Sequence, residues 1–173
     1  MKKFSLVLLG LIAVFLVGFL GLGLASESIE YRNEIVIDRP PEEVWAVFSD
    51  PDRAKSWMTG LERIENLSGE HLQVGSRWKL VFLEGGEEIE VLETVTAVEP
   101  NRRFAFDLDA EPMLGHTEVR FEPEGEGTRL VATNEMRAKG LIWRAVFRLS
   151  RTMFQARSQE QYALLKARIE EGS

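Results

Sequence analysis

The chain has 173 residues, of which 45% are apolar, a net charge of −7 and no cysteine. This length fits one folded domain with an appendage, and without cysteine the chain forms neither disulfides nor thiolate metal sites. His71 and His116 have no second histidine at helical or strand spacing, so we expect no metal site and no cofactor. Residues 27–136 hold 25 acidic and 11 basic side chains. Because nucleic-acid binding needs a basic surface, we expect no nucleic-acid partner.

The N-terminal segment is predicted to contact a membrane. Two lysines precede the uncharged residues 4–25, and at about 1.5 Å per helical residue this run can cross a bilayer core of about 30 Å. With the lysines on the cytoplasmic side, the chain is a single-pass protein whose domain is extracytoplasmic. The alternative is a signal peptide cleaved before Ser26, which leaves a secreted or periplasmic domain. Both interpretations divide the chain into residues 1–26 and a domain at 27–173.

A strand and two short helices are predicted to open the domain. Residues 31–39 alternate apolar and polar side chains, which predicts a β-strand. The two prolines that follow end it, because proline cannot donate a ladder hydrogen bond, and the second suits the first turn of a helix. Asp50 and Pro51 then cap and begin a second short helix, which is expected to run to about Met58.

Five further runs of alternating side chains predict the rest of a sheet. They are residues 76–84, 87–100, 102–110, 116–124 and 129–138. The glycine pair between the first two runs is a hairpin signal. Strict alternation predicts an antiparallel sheet with one apolar and one solvated face. Both histidines are expected in turns.

The last segment, residues 141–169, is predicted to be one helix that covers the sheet. It has no proline or glycine, and at about 1.5 Å per residue it is over ~40 Å long. An apolar sheet face needs such a cover. The covering stripe is predicted to begin with Ile142, Val146, Leu149 and Met153, to be widened by Trp143, Phe147 and Phe154, and to continue through Tyr162, Leu165 and Ile169.

This order of elements resembles the helix-grip fold of the START-like, birch-pollen-allergen-like superfamily, in particular its polyketide cyclase/dehydrase and lipid-transport branch. The residues that carry the resemblance are "IVIDRPPEEVWAVFSDP" at 35–51 with Trp57, "VGSRW" at 74–78, and "VEPNRRF" at 98–104. It covers about residues 30–171 and is more specific for fold than for function. It implies an α+β fold with a curved antiparallel sheet of about seven strands wrapped on a long C-terminal helix. Two short helices follow strand 1, and a hydrophobic helix precedes it.

The resemblance also implies a class of ligand. Members of the superfamily bind lipids, sterols, polyketides and other apolar molecules, and some cyclise or hydrolyse them. We therefore expect a domain that binds an apolar small molecule or lipid without chemistry. One alternative is a cyclase or hydrolase that uses polar cavity residues, and another is an interaction module with a filled core.

The resemblance implies an apolar cavity between sheet and helix, and the alternation indicates which side chains face it. Aromatic and methionine side chains suit an adaptable apolar pocket, although plain core packing would produce the same pattern. The apolar candidates for ligand contact are Trp57, Trp78, Leu80, Phe82, Phe104, Phe106, Leu108, Val119, Met136, Trp143, Phe147 and Phe154.

Three polar residues at inward positions complete the candidate site. Glu93, Thr117 and Asn134 would be costly to bury without partners. A carboxylate there could orient a ligand, or act as an acid or base with a raised pKa. The alternatives for Glu93 are a bulge that turns its side chain outward, since a slip of one residue reverses the face, and a position at the rim.

Basic residues near the start of the long helix allow two interpretations. They are Arg137, Lys139, Arg144, Arg148, Arg151 and Arg157. A basic amphipathic helix can rest on anionic lipid head groups. Alternatively, these side chains pair with the acidic sheet.

Overall fold

The computed structural model describes the backbone of residues 2–25 and 27–172, and the side chains of residues 9–24 and 27–172. The helices are α1 (Lys2–Ala25), α2 (Pro41–Phe48), α3 (Pro51–Ala54) and α4 (Leu141–Glu171). The strands are β1 (Ser28–Ile37), β2 (Leu61–Ser68), β3 (Arg77–Glu84), β4 (Glu87–Glu99), β5 (Arg103–Ala110), β6 (Met113–Glu124) and β7 (Gly127–Ala138). The predicted cleavage point at Ser26 lies outside the described residues.

The strands form one antiparallel sheet in the order β1-β7-β6-β5-β4-β3-β2. The first strand pairs with the last, and the remaining neighbours follow one another along the chain. With the long α4 and the two short helices after β1, this confirms the predicted helix-grip fold. Sequence alternation did not reveal β2, an edge strand that is mostly exposed and pairs with β3 through two register shifts.

The predicted hairpin between β3 and β4 is confirmed. Glu84 pairs with Glu87, so only Gly85 and Gly86 form the turn. Their φ angles are 61° and 91°, which glycine adopts without the steric penalty that a side chain imposes. Two consecutive residues with positive φ form the turn whose twist matches that of the flanking strands.

The two short helices close one end of the sheet with aromatic side chains. Trp45 meets the rings of Phe104 and Phe121 edge-on, at centroid distances of 6.1 and 5.4 Å. Phe48 stacks on Trp57 at 5.7 Å. Helix α3 ends earlier than predicted, because the chain turns after it and brings Trp57 back into this cluster.

Helix α4 runs along the free edge of β1 and hydrogen-bonds to it. Four side chains of α4 donate to alternate carbonyl oxygens of the strand: Arg151 to Glu30, Gln155 to Arg32, Gln159 to Glu34 and Lys166 to Val36. For the first three donors, each step of four helical residues rises about 6 Å and each step of two strand residues about 6.6 Å, so the two spacings nearly match. Lys166 lies seven residues beyond Gln159 and reaches the next carbonyl with its longer side chain. The helix therefore satisfies backbone groups on an edge strand that could otherwise pair with another chain.

The stripe of α4 that was predicted to cover the sheet is wrong at three positions of its first half. Ile142, Leu149 and Met153 are each more than 60% exposed. The covering face carries Phe147, which is buried, with Val146 and Phe154 packed beside it, and these three were predicted. The predicted continuation through Tyr162, Leu165 and Ile169 is buried as well. The first half of the helix is apolar on two faces, so periodicity alone did not distinguish the covering face from the exposed one.

The last turn of α1 packs on the first turn of α4. A Cβ atom added at Gly23 would overlap the carbonyl oxygen of Leu141, so the contact requires glycine. Arg144 and Glu27 form an ion pair of 3.3 Å beside it. Over the part of the chain that the structure describes, no helix is long and apolar enough to cross a membrane. The predicted membrane anchor stays a prediction.

Candidate functional site

A cavity of about 500 Å³ lies between the sheet and α4. Its volume falls in the range of about 300–1,000 Å³ that is typical of small-molecule sites. Three clusters of buried apolar side chains surround it, one with the short helices, one under the first half of α4 and one near β2 and β3. The sheet supplies the floor, since alternate residues of an antiparallel strand share a face.

All the candidate residues except Val119 line this cavity. They are Trp57, Trp78, Leu80, Phe82, Glu93, Phe104, Phe106, Leu108, Thr117, Asn134, Met136, Trp143, Phe147 and Phe154. Alternation predicted the inward face of each strand because side chains of a strand alternate between the two faces. That these residues contact a ligand stays a prediction.

Val119 is a correction to the predicted site. Its side chain is fully buried in the cluster that includes Val44 and Trp45, and it does not line the cavity. It pairs in register with Phe104 and Ala132, at the end of the sheet that α2 covers. Alternation reports which face a residue occupies, but not what covers that part of the face.

Several cavity residues were not predicted. Tyr31, Phe48, Met113 and Tyr162 all contribute to the wall. Phe48 and Tyr162 lie on apolar helix stripes that the sequence does show, but only the packing of each helix decides which stripe members reach the cavity. Gly115 offers no side chain and therefore no signal.

Glu93 lies on the floor of the cavity. It pairs in register with Trp78 on β3 and Leu108 on β5, both of which also line the cavity. The bulge of β4 falls between Val95 and Ala97, beyond Glu93, so the outward orientation is wrong. Burial raises the pKa of the Glu93 carboxyl to about 7. No cause other than burial contributes to this shift, and the group is therefore partly protonated at neutral pH.

Thr117 and Asn134 form a second polar point on the floor. The Thr117 hydroxyl donates a hydrogen bond to Asn134 Oδ1 at 3.0 Å. Among the described atoms, Asn134 Nδ2 is buried without a partner. Thr117 on β6 is two strands from Glu93 on β4 and two residues out of register with it, which places their backbones more than about 10 Å apart at the usual spacings. The three polar residues therefore share the cavity but do not converge on one reacting atom.

Two tyrosines add neutral hydroxyl groups to the wall. Tyr31 is the cross-strand partner of Asn134, and its hydroxyl donates to Met136 Sδ at 3.4 Å. Tyr162 is hydrogen-bonded to Ser158 within α4. Burial raises the pKa of Tyr31 to about 12, and burial also raises the pKa of Tyr162. Both hydroxyls remain protonated at physiological pH.

Most of the basic residues near the start of α4 pair with acids or backbone oxygens. Arg137 contacts Glu135, Lys139 contacts Asp109 and Glu111, Arg144 contacts Glu27, Arg151 contacts the Glu30 carbonyl, and Arg157 contacts Glu84. This arrangement favours the interpretation that these side chains pair with the acidic sheet.

The two histidines lie in different places. His116 belongs to β6, so its predicted turn location is wrong, and its Nδ1 lies 2.6 Å from Asp107 Oδ1 on an exposed part of the sheet. His71 lies in the β2–β3 connection, as predicted, and its ring meets Trp78 edge-on at 5.8 Å. Within the described residues, no group of three or more histidine and acidic side chains could hold a metal ion.

Solved structures with the same fold are numerous. Protein TTHA0849 from Thermus thermophilus is 26% identical, with a TM-score of 0.70 over 84% of this chain and 99% of that chain. The Zhui aromatase/cyclase from a Streptomyces species is 19% identical, with a TM-score of 0.68 over 83% of this chain and 94% of that chain. A conserved protein from Geobacillus kaustophilus is 15% identical, with a TM-score of 0.69 over 83% and 96% of the two chains. At these two lower identities the similarity concerns the fold alone.

The family of the protein is identified from its sequence. A comparison with curated protein sequences found no match. The family model described as polyketide cyclase / dehydrase and lipid transport matches residues 28–170, which span all seven strands and nearly all of α4. The resemblance drawn from the opening motif is thereby confirmed. The chain belongs to the polyketide cyclase/dehydrase and lipid-transport family of the START-like superfamily.

Proposed function

We propose that this protein binds an apolar small molecule or lipid. The observation that carries the proposal is the cavity of about 500 Å³ with its predominantly apolar and aromatic wall. A closely packed interior contains few voids larger than a water molecule, so a cavity of this size is a feature that packing alone does not produce. Membership of a family described by polyketide and lipid chemistry supports the same class of ligand.

The interaction-module alternative predicts a filled core, and the cavity argues against it. Ile142, Leu149 and Met153 of α4 are exposed, but Val146, which lies between the first two along the same side of the helix, packs into the core. Single exposed apolar side chains are ordinary on proteins and do not by themselves indicate a contact surface.

We also propose that residues 4–25 hold the domain at a membrane, on its extracytoplasmic side. The support is the uncharged sequence after two lysines, together with exposed apolar side chains along α1 such as Leu9, Val14 and Leu24. Basic residues flanking an apolar helix favour the cytoplasmic side. An anchored domain would meet apolar ligands in the bilayer itself.

Native mass spectrometry of the full chain, expressed in bacteria and extracted in mild detergent, tests both proposals. We expect a full-length mass with a non-covalent adduct of a small apolar molecule, which disappears on denaturation. A full-length protein that carries no adduct and takes up no added neutral apolar probe would contradict the binding function. A mass that begins at Ser26 would contradict the anchor and leave the binding function intact.

Glu93 favours a second candidate function, an enzyme of the cyclase type. A carboxyl group whose pKa is about 7 can both accept and donate a proton near neutral pH. Cyclisation of a polyketone begins with removal of a proton next to a carbonyl group, and Glu93 is the carboxyl on the cavity floor. A positioned base contributes on the order of 100-fold to such a step.

Proton exchange distinguishes this enzyme from a carrier. If Glu93 is a base, the protein should accelerate deuterium exchange next to the carbonyl of 2-dodecanone in heavy water, followed by NMR, by on the order of 100-fold. Glu93→Gln should remove the acceleration. Glu90→Gln changes the same net charge on the same strand, at an exposed position, and should retain it. Exchange at the buffer rate in the unmodified protein would exclude this candidate.

A further inference from the structure

Among the described carboxylates that line the cavity, Glu93 differs from the other three in its lack of a basic partner. Asp50 pairs with Arg53, Glu84 with Arg157, and Glu111 with Lys139. For Glu93, the described side chains supply no basic partner, and burial is the sole cause of its raised pKa. A carboxylate placed in an apolar wall without a partner lowers stability, because its charged form loses hydration and gains nothing in return.

Aromatic rings stand beside Glu93 on both neighbouring strands. Trp78 is its direct cross-strand partner on β3, and Phe106 lies diagonally across on β5. Side chains in direct register have Cβ atoms about 5 Å apart, and diagonal neighbours lie about 7–8 Å apart. Both rings line the cavity, so a group bound at Glu93 would also contact aromatic faces or edges.

We infer that the cavity takes an apolar amine, whose ammonium group pairs with the Glu93 carboxylate beside Trp78 and Phe106. This rests on the proposed binding function and narrows its ligand class. A cation within about 6 Å of an aromatic ring is attracted by the ring's quadrupole, most strongly for tryptophan. The remaining length of the ligand would occupy the apolar wall.

The charges around the cavity disfavour an anionic ligand such as a fatty acid. Arg157 is the one guanidinium among the described lining residues, and it already contacts Glu84. A ligand carboxylate near Glu93 would place two like charges in an apolar site, which raises both pKa values and weakens binding. An ammonium group supplies the missing opposite charge and makes a charge-assisted hydrogen bond.

Competition against a neutral fluorescent probe, N-phenyl-1-naphthylamine, tests the inference in the full-length protein. The competitors are dodecylamine, 1-dodecanol and dodecanoate, which share one chain length and differ in charge. At pH 8 we expect dodecylamine to displace the probe at roughly one tenth of the concentration that 1-dodecanol requires, as a hydrogen bond to a charged group predicts. Dodecanoate should be the weakest of the three.

Two variants distinguish binding of the amine in the cavity from its attraction to the acidic surface. Glu93→Gln should bring dodecylamine and 1-dodecanol to equal potency, because it removes the negative charge and keeps the shape. Glu90→Gln carries the same net charge change on the same strand at an exposed position, and should keep the tenfold preference. In the unmodified protein the preference should shrink at pH 5.5, because Glu93 becomes neutral while an alkyl ammonium, like lysine, titrates near pH ~10.4 and keeps its charge. In Glu93→Gln the same change of pH should leave the ratio of the two potencies unchanged. Asp50, His71, Glu84, Glu111 and Arg157 also face the cavity and are present in both variants, so the difference between variants reports Glu93.

Three results would overturn the inference. They are equal potency of amine and alcohol in the unmodified protein, stronger displacement by the alcohol, and an amine preference that survives Glu93→Gln. Each of these leaves the proposed binding function standing, because the probe is still bound. Failure of the protein to bind the probe at all would instead contradict the binding function itself.

Discussion

Replacing Gly115 with phenylalanine is expected to weaken binding of a neutral apolar probe by roughly tenfold or more. The added ring would occupy part of the cavity, and the closely packed walls cannot move apart to restore the lost volume. Gly115 lies on the cavity floor, in register between Leu108 on β5 and Met136 on β7. A Cβ atom there would sit 3.4 Å from Leu108 Cβ, so the new ring would project into the cavity without striking the backbone. Its φ angle is not positive, and the strand accepts a side chain.

Leu114→Phe is the matched control for this substitution. Leu114 is the preceding residue of β6 and is exposed, so an added ring there should leave the affinity for N-phenyl-1-naphthylamine unchanged. Fluorescence titration of the three proteins gives the dissociation constants, and far-ultraviolet circular dichroism confirms that each is folded. An unchanged affinity in a folded Gly115→Phe protein would show that the probe does not bind in this cavity.

The second large effect is a dependence of stability on pH that Glu93 produces. Its pKa is raised from 4.5 to about 7 in the folded chain by burial. The stability that the protonated form contributes is fully present below pH 4.5 and is lost as the pH rises through 7. We therefore expect the unfolding free energy to fall by about 2–3 kcal/mol from this group between pH 5 and pH 8.

Glu93→Gln should remove this dependence. The amide is neutral at every pH, so the variant is expected to match the unmodified protein near pH 5 and to exceed it by about 2–3 kcal/mol at pH 8. Urea unfolding at the two pH values measures the difference, with Glu90→Gln as the charge-matched control. If the two stability curves run parallel, Glu93 titrates as an ordinary exposed carboxylate, and both its raised pKa and its role in amine binding are wrong.

Ion pairs on the surface make the protein more stable as the pH rises, which is opposite to the effect of Glu93, and they do so at lower pH. Bonds from Lys79 and Arg63 lower the pKa of Glu65, and the bond from Arg63 lowers that of Glu88. Such groups contribute stability above their unfolded pKa of 4.5, and it is lost as the pH falls through the folded value. They are exposed, so each contributes little, and their window lies below the pH 5–8 range in which Glu93 acts.

The periodicity of apolar and polar side chains along the sequence predicted most of this fold. Alternation in the runs that became β3 to β7 predicted both the antiparallel sheet and its inward face, because every second side chain of a strand points the same way. Proline and cap residues predicted the two short helices, and the glycine pair predicted the hairpin. These signals are local, so they can be interpreted without knowledge of the rest of the chain.

Tertiary structure decided what lies opposite each inward residue. Glu93 and Val119 have the same inward parity, yet Glu93 meets a cavity and Val119 meets α2, because the short helices cover only one end of the sheet. Likewise, the first half of α4 is apolar on two faces, and only docking along β1 selected the face with Phe147 over the face with Leu149. Side-chain periodicity determines a face, whereas the cavity and the environment of Glu93 within it arise from how separate elements fit together, and no local pattern encodes that fit.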